Sequence, residues 1–178
     1  MRINTLIWGW AFFNGHRFLL TASKNGLCRL MLPCEASLQN LIKWTNRHIS
    51  DAHFVKDQKQ LSVYISQLDE YFDRKRKTFE FDIDLIGTDF QKSVWNALLN
   101  IPYGTVKSYS EIARQIGQPT ALRAVGNANG ANPIPIVVPC HRVIAKNGTL
   151  GGYGGGLDMK RKLLFLEGVI SEDQKQLI

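Results

Sequence analysis

The sequence predicts an α/β protein of the α+β type, with a β-rich N-terminal half and a helical C-terminal half. Its 178 residues are enough for two small domains with their own hydrophobic cores. Three patterns support this prediction: an N-terminal β meander, a change of composition at residues 87–89, and two short helices separated by a glycine-containing turn. We therefore expect an N-terminal domain over residues 1–86 and a C-terminal domain over residues 87–178.

The N-terminal half predicts three antiparallel strands followed by helices. The apolar runs are interrupted by the hairpin dipeptide Asn14-Gly15 and by a second turn over residues 24–26. Apolar residues recur at helical spacing over residues 38–45 and again, more strongly, over residues 61–73. Alternation of apolar and polar residues over 79–85 then predicts one more half-buried strand.

The C-terminal half predicts helices with clear start signals. Thr88 or Asp89 can cap the first of them. Ser108 and Glu111 form a capping-box pattern that opens the next helix, and Gly117 closes it. Residues 157–168 predict the last helix, and Gly168 ends it.

A further helix beginning at Ala121 completes a helix-turn-helix unit with the helix opened by Ser108. Such a unit can serve as core packing or as a DNA-binding element, and the pattern leaves both roles open. The small residues Ala121, Ala124 and Gly126 make a thin helix that can approach a duplex closely. Arg123 is its only long charged side chain.

Composition restricts the classes of partner. The formal net charge of +7 favours polyanions, and the basic run over residues 74–77 is either a solvated helix end or a nucleic-acid contact. Three irregularly spaced cysteines argue against a disulfide framework, and Cys28 and Cys34 lack the ligand spacing of a zinc site. No apolar run is long enough to span a membrane, and the N-terminus lacks a signal-peptide pattern, so we expect an intracellular protein.

The densest chemical signal is the segment over residues 134–143. Its β-branched apolar run predicts a strand that ends at Pro139, because proline cannot donate a ladder hydrogen bond. Cys140 at that strand end is either a small buried hydrophobe or a thiolate nucleophile. A nucleophile requires a base and a third group that orients the base. His141 is the candidate base, and Glu167 is either an ordinary carboxylate or this third group.

The glycine cluster over residues 151–156 lacks the spacing of a phosphate-binding fingerprint. It predicts instead a backbone that lies close to a flat ligand.

Together these motifs resemble the O6-alkylguanine-DNA alkyltransferases, the methylated-DNA–protein-cysteine methyltransferases. The resemblance covers residues 87–168 and rests on Phe90-Gln91-Lys92-Ser93-Val94-Trp95, Ile101-Pro102-Tyr103-Gly104-Thr105-Val106, Ser108-Tyr109, Ala124-Val125-Gly126, Asn132-Pro133, Val138-Pro139-Cys140-His141-Arg142-Val143-Ile144 and Tyr153-Gly154-Gly155-Gly156. It implies a ribonuclease-H-like β/α N-terminal domain and a helical, winged-helix-like C-terminal domain. It also implies a DNA repair enzyme that reacts once.

The resemblance implies a role for each matching residue. Cys140 resembles the nucleophile that takes the alkyl group, and His141 resembles the base, which Glu167 reaches by a hydrogen bond. Asn132 resembles the residue that braces the Cys140 loop. Tyr109 resembles the group that helps to flip the nucleotide and donates a proton as guanine leaves.

The remaining implied residues surround the base and the DNA. Arg123 resembles the finger that fills the vacated stack. The implied base pocket is lined by Val143, Tyr153, Gly154 and Gly155. The implied contacts to the DNA backbone are Phe90, Ser110, Gln118 and Lys146.

The implied substrate is double-stranded DNA that contains O6-alkylguanine, bound through the minor groove with the damaged base flipped out. O4-alkylthymine is a second candidate substrate. The reaction is irreversible and stoichiometric, without a metal or an organic cofactor. We expect a cytoplasmic, nucleoid-associated protein that is monomeric off DNA. Two alternatives are a non-catalytic lesion-binding module of the same family and a cysteine hydrolase.

Overall fold

The computed structural model describes residues 4–171. The chain divides into two compact units, one ending at Ile86 and the other beginning at Gly87. Strands dominate the first unit and helices the second, which confirms the predicted α+β class. The outer ends of the two predicted domains, residues 1–3 and 172–178, lie outside the described residues.

The first unit is built on the predicted meander: β1 (Asn4–Phe13), β2 (His16–Ser23) and β3 (Gly26–Met31) pair antiparallel in sequence. Asn14 and Gly15 join β1 to β2, and both have positive φ, 47° and 75°. A two-residue turn with this geometry matches the twist of the strands that it joins, which explains the Asn-Gly pair.

The fourth strand was missed in the sequence. Helix α1 (Leu38–His48) leads to β4 (Ala52–Lys56), which pairs parallel with β1 and gives the sheet order β3-β2-β1-β4. β4 has five residues, none of them fully buried. It therefore carries too weak an apolar pattern to stand out beside the helices that flank it.

The predicted strand over residues 79–85 is wrong. This segment follows helix α2 (Ser62–Phe72) and makes only an isolated bridge between Ile83 and Leu27. Its aromatic rings pack on α2 instead, with centroid distances of 5.6 Å for Phe79 and Tyr71 and 4.8 Å for Phe81 and Tyr64. The alternation of apolar and polar residues over 79–85 therefore arises because the apolar side chains pack against a helix.

The second unit contains α3 (Asp89–Leu99), α4 (Tyr109–Gln115), α5 (Leu122–Gly130) and α6 (Leu157–Leu166). Capping boxes open α3 and α4. The one at Ser108 was predicted, and of the two candidate caps for α3 the structure uses Thr88. A short parallel ladder pairs β5 (Lys107–Ser108) with β6 (Val143–Ile144). Helices α4 and α5 form the helix-turn-helix, and Trp95 ties α3 to α5 by donating to the Ala128 carbonyl at 2.8 Å.

One prediction before the cysteine needs correction. α5 continues to Gly130, close to this segment. The strand expected over residues 134–139 is a buried turn, closed by a hydrogen bond from the Val138 N–H to the Ile134 carbonyl at 2.9 Å. Prolines at 133, 135 and 139 remove the donors that a ladder needs. The β-branched run is apolar because it lies in the core of this unit.

Candidate active site

Cys140 lies on a one-turn 3₁₀ helix, Cys140–Arg142, and not at a strand end as predicted. Only 4% of the residue is exposed. Two asparagine side chains stabilise the turn by hydrogen bonds to its backbone. Asn132 accepts from the Ile134 N–H at 2.9 Å and donates to the Val138 carbonyl at 2.7 Å, while Asn129 donates to the Cys140 carbonyl at 3.3 Å. Because both amides are buried, they fix the backbone on either side of the sulfur.

The environment of the thiol favours its protonated form. Burial raises the pKa of Cys140 to about 11, although hydrogen bonds from the side chains of Asn132 and Tyr153 and the positive charge of Lys160 act in the opposite direction. At neutral pH the resting group is therefore a thiol. A reaction at sulfur then requires an acceptor for its proton.

His141, the next residue, is fully buried and is positioned by Glu167, the C-cap of α6. Its Nε2 lies 2.8 Å from Glu167 Oε1. A carboxylate only accepts, so Nε2 carries the hydrogen and Nδ1 carries the lone pair of the neutral ring. Within residues 4–171, Nδ1 has no hydrogen-bond partner. Burial lowers the pKa of His141 despite the Glu167 charge, so the ring is neutral and able to accept a proton.

Arg142 completes this cluster, and the sequence analysis missed it. Its guanidinium donates twice to the Glu167 carboxylate, with Nε and Nη2 both at 2.9 Å, and once to the Ile101 carbonyl at 2.6 Å. Burial raises the pKa of Glu167, but hydrogen bonds from His141 and Arg142 outweigh it and bring that pKa to about 2. The available signal was an arginine beside His141, because arginine binds carboxylates in this bidentate manner.

Lys160 is a second missed residue. It lies fully inside the unit on α6, and its Nζ donates to the carbonyls of Val143, at 2.6 Å, and of Leu150. Burial lowers the pKa of Lys160 to about 8, while the nearby Cys140 acts to raise it. The lysine thus joins the segment after the cysteine to the segment before the glycine cluster. It also places a cation near the sulfur.

Tyr109, the first residue of α4, lies between α5 and the glycine cluster. A Cβ built on Gly151 would meet the Tyr109 ring at 3.2 Å, and one on Gly126 would meet it at 4.0 Å. Gly151 also has positive φ, 66°, so a side chain there is excluded twice. The flat group beside this part of the cluster is therefore the protein's own tyrosine. Burial and the neighbouring Cys140 raise the pKa of Tyr109, which keeps its hydroxyl protonated.

The four expected pocket residues differ in exposure. Val143 is buried directly after the 3₁₀ turn, and the side chain of Tyr153 lies near enough to the thiol to lower its pKa. Gly154 is exposed and Gly155 is half-buried. A Cβ on Gly154 would meet the Gly130 carbonyl at 3.5 Å, an ordinary contact distance. The glycine at 154 is therefore not required by packing.

The expected DNA contacts lie on different elements of the helix-turn-helix unit and its surroundings. Arg123 is exposed on α5, and Gln118 is exposed in the turn after α4. Ser110 and Lys146 line one open cavity of about 320 Å³ together with Lys107 and Arg114. Phe90 is half-buried at the start of α3. The structure thus brings two of these residues together and leaves the roles of all five as predictions.

Two wider features were tested over residues 4–171. In this range no group of three or more histidine, cysteine, aspartate or glutamate side chains is arranged to hold a metal ion. The same residues include no helix that is long and apolar enough to cross a membrane.

Comparison with protein families decides the identity. Residues 89–169 match the DNA-binding domain of 6-O-methylguanine DNA methyltransferase, and residues 14–85 match the ribonuclease-like domain of the same protein. The chain belongs to the 6-O-methylguanine DNA methyltransferase family. This confirms the predicted family and both predicted domain types, and it makes the second unit of this methyltransferase a DNA-binding domain.

Individual relatives agree. The inducible methylated-DNA–protein-cysteine methyltransferase of Bacillus subtilis is 44% identical over 163 residues, which are 92% of this chain and 90% of that protein. The Mycobacterium tuberculosis methyltransferase is 56% identical over 118 residues, 66% of this chain and 72% of that one. These names confirm the predicted enzyme class.

Solved structures give the same result. A crystal structure of the M. tuberculosis O6-methylguanine methyltransferase superposes with a TM-score of 0.79 at 40% identity and covers 97% of this chain and 99% of that chain. The M. tuberculosis protein in complex with DNA gives a TM-score of 0.78 at 40% identity, with 98% and 99% covered.

Proposed function

We propose that this methyltransferase repairs DNA by transferring the methyl group of O6-methylguanine to Sγ of Cys140. The observation that carries this proposal is the buried cluster in which Glu167 fixes His141, the residue after the cysteine, with its Nδ1 available. In the reaction a sulfur–carbon bond forms and the carbon–oxygen bond to guanine breaks. The thiol proton passes to His141, and guanine leaves with the bonding electrons.

Because His141 can accept its proton, the thiol can react despite its high pKa. A thiol with a pKa of about 11 is almost entirely protonated at neutral pH. A neutral imidazole can take the proton as the sulfur attacks, either directly or through one water molecule. The charge of Glu167 then stabilises the imidazolium that forms. Arg142 in turn keeps Glu167 ionised and in place.

The departing guanine carries negative charge and needs a proton. Tyr109 is the candidate donor, because its raised pKa keeps the phenol protonated and its neighbouring groups include Cys140. Its ring is held between Gly126 and Gly151. A donor fixed beside the leaving group lowers the barrier for its departure.

Access to the sulfur requires the base to leave the duplex. Cys140 is buried in the DNA-binding domain, so a stacked base cannot meet it. We propose that α5 enters the minor groove, where Ala121 and Ala124 permit close approach and exposed Arg123 fills the gap. Ser110, Gln118, Lys146 and Phe90 then contact the backbone, which gives affinity for any sequence.

The product is a thioether, which water does not cleave under these conditions. We propose that each molecule reacts once, without a metal or a cofactor, and that O4-alkylthymine is a second candidate substrate. We expect a monomer off DNA. The cytoplasmic, nucleoid-associated location stays a prediction.

Gly154 gives the base pocket extra room. We propose that the pocket accepts benzyl as well as methyl adducts, because no side chain projects at this position. The variant Gly154→Ser fits the backbone, since its Cβ meets only an ordinary contact. It should slow repair of O6-benzylguanine more than repair of O6-methylguanine in a gel assay of both adducts. Equal slowing of the two reactions contradicts the proposal.

The central experiment measures the intact mass of the protein after incubation with duplex DNA that contains O6-methylguanine. We expect one methyl group per molecule, located on Cys140 by peptide mapping, and no gain for Cys140→Ala. Repeated turnover would indicate a cysteine hydrolase. Binding to the lesion without a mass change would indicate a non-catalytic module.

A further inference from the structure

One face of the N-terminal sheet carries two half-buried aromatic rings and one exposed ring that the repair reaction does not use. Trp8, Trp10 and Phe12 alternate along β1 and therefore point to the same side of the sheet. Helix α1 covers the part of this face around Leu19 and Met31, where Trp8 and Trp10 are only partly buried. Phe12 is 67% exposed. Most of the surface of Phe12 therefore faces solvent.

Two cations lie on these rings. The Arg17 guanidinium carbon is 4.3 Å from the centroid of the Trp10 ring, and Lys56 Nζ is 5.7 Å from that of Trp8. Arg17 of β2 lies opposite Phe12 of β1, and Lys56 of β4 lies opposite Trp8 of β1. Within residues 4–171 neither cation has a hydrogen bond to protein or a carboxylate partner. Their charges are held in place by the rings and remain available to an anion.

Within the strands and α1 the charged residues are all basic, although the carboxylates of Glu35 and Asp57 lie in the adjoining loops. None of the four strands contains an aspartate or a glutamate, and neither does α1. α1 adds Lys43 and Arg47 on its own surface. A surface that combines cations with flat aromatic groups matches a ligand with negative charges and flat rings in regular alternation.

We propose that this face, formed by Trp8, Trp10, Phe12, Arg17 and Lys56 and called here the aromatic face, binds single-stranded nucleic acid. Arg17 and Lys56 contact phosphates, and Phe12 stacks against a base. Single strands are held in this way by other sheet surfaces, because phosphates require cations and every base has a face to stack. The site is separate from the DNA-binding domain and does not depend on methyl transfer to Cys140.

The test uses the full-length protein and a fluorescently labelled oligothymidylate of about 16 nucleotides. Fluorescence anisotropy gives the Kd over a series of salt concentrations. We expect the double variant Arg17→Gln/Lys56→Gln to bind at least about fivefold more weakly, with a salt slope smaller by about 1.4 for two lost phosphate contacts. We expect Phe12→Ser, which removes an exposed ring and disturbs no core, to weaken binding about fivefold or more.

Matched controls make the result specific. Lys24→Gln removes a cation from the turn between β2 and β3, and Val63→Ser removes an exposed apolar side chain from α2. Both should change the Kd by less than about twofold. All variants should retain methyl transfer on duplex DNA, as measured by intact mass.

Three outcomes overturn the proposal. Unchanged oligothymidylate binding in both Phe12→Ser and the double variant shows that the aromatic face takes no single strand. Loss of binding in Arg123→Ala alone places the strand on the DNA-binding domain. Failure to bind oligothymidylate together with tight, variant-sensitive binding of polyglutamate assigns the face to an acidic protein partner.

Discussion

Two buried thiols, one in each unit, show what makes a cysteine reactive in this protein. Cys28 lies in β3, and its Sγ donates to the Thr21 carbonyl at 3.3 Å. Burial, followed by the charge of Asp84, raises the pKa of Cys28 to about 12. Cys140 has a pKa of about 11, also raised by burial. By acidity alone the two sulfurs are almost equally inert at neutral pH.

Their surroundings separate them. The strongest partner of Cys28 is a backbone carbonyl, which accepts a hydrogen bond but cannot remove a proton. Cys140 is followed by His141, a neutral base whose Nε2 is engaged by Glu167. The site therefore need not lower the resting pKa of the Cys140 thiol. It must instead supply an acceptor for the thiol proton as the sulfur attacks.

The largest expected effect comes from deleting each sulfur in turn. Cys140→Ala should abolish methyl transfer, because it removes the sulfur that forms the new bond to carbon. Cys28→Ala should retain the wild-type rate constant within about twofold and lose about 1 kcal/mol of unfolding free energy from a small cavity. Single-turnover kinetics on methylated duplex and urea unfolding measure the two effects. Methylation of Cys28 in the Cys140→Ala protein would contradict the claim that a thiol without a neighbouring base is unreactive.

Removing the base should make the Cys140 thiol nearly as unreactive as that of Cys28. His141→Gln should slow methyl transfer by about 10²- to 10⁴-fold, the usual contribution of a general base. The Arg142–Glu167 pair remains in this variant, so DNA affinity should be preserved in an anisotropy assay. A rate within threefold of wild type would exclude His141 as the acceptor.

Glu167→Gln should affect both rate and stability. The substitution leaves Arg142 as an uncompensated buried charge, which costs about 3–5 kcal/mol. The rate should also fall, because Nε2 loses the anion that stabilises the imidazolium. Chemical denaturation measures the stability and quenched-flow repair measures the rate. A stable variant with a normal rate would show that Glu167 only fills space.

Asn132→Ala should give a smaller change. The buried Ile134 N–H loses its partner, which costs about 1–3 kcal/mol, while the Val138 carbonyl keeps its hydrogen bond from the Cys140 N–H. The thiol also loses a hydrogen bond that lowers its pKa, so iodoacetamide should label Cys140 more slowly. The matched variant Asn129→Ala removes a bond to the Cys140 carbonyl only, and should leave the labelling rate closer to wild type. Equal labelling of both variants would contradict this role for Asn132.

The smallest effect is a displaced pH profile. Burial lowers the pKa of His141 below its usual value near 6.5. Protonation disables a base, so the fall in repair rate should begin at a lower pH than for free imidazole. The rate constant should therefore stay level as the pH drops through about 6.5. NMR titration of the His141 ring provides the check, and a midpoint above 6.5 would contradict the burial argument.

The second unit was more predictable than the first. Caps specify helix starts locally: the capping box at Ser108 was predicted, and Thr88 was one of the two predicted caps of α3. The meander was also predictable, because Asn14-Gly15 has few alternatives to a hairpin turn. β4 and residues 79–85 were not, because a short strand and an aromatic segment packed on a helix depend on contacts with distant residues.

The candidate site divides in the same way. Cys140, His141 and Glu167 follow from residue type and from the resemblance to the family. The structure places Cys140 and His141 on one 3₁₀ turn and joins His141 to Glu167 by a hydrogen bond. The turn that carries Cys140 was mispredicted, since β-branched residues favour strands and the buried Asn132 bonds that stabilise a turn leave no local pattern. Lys160 was missed for a similar reason. A lysine in an amphipathic helix gives no sign that it points inward.

Helix α6 also fixes the spacing of the charges around the sulfur. Lys160 and Glu167 are seven residues apart, about two helical turns, and therefore share one side of the helix. One extra residue inserted between them would swing the carboxylate by about 100° relative to the ammonium. The helix thus fixes both the distance and the relative direction of the two charged groups. A change in its length should reduce repair as much as the loss of Lys160 or Glu167.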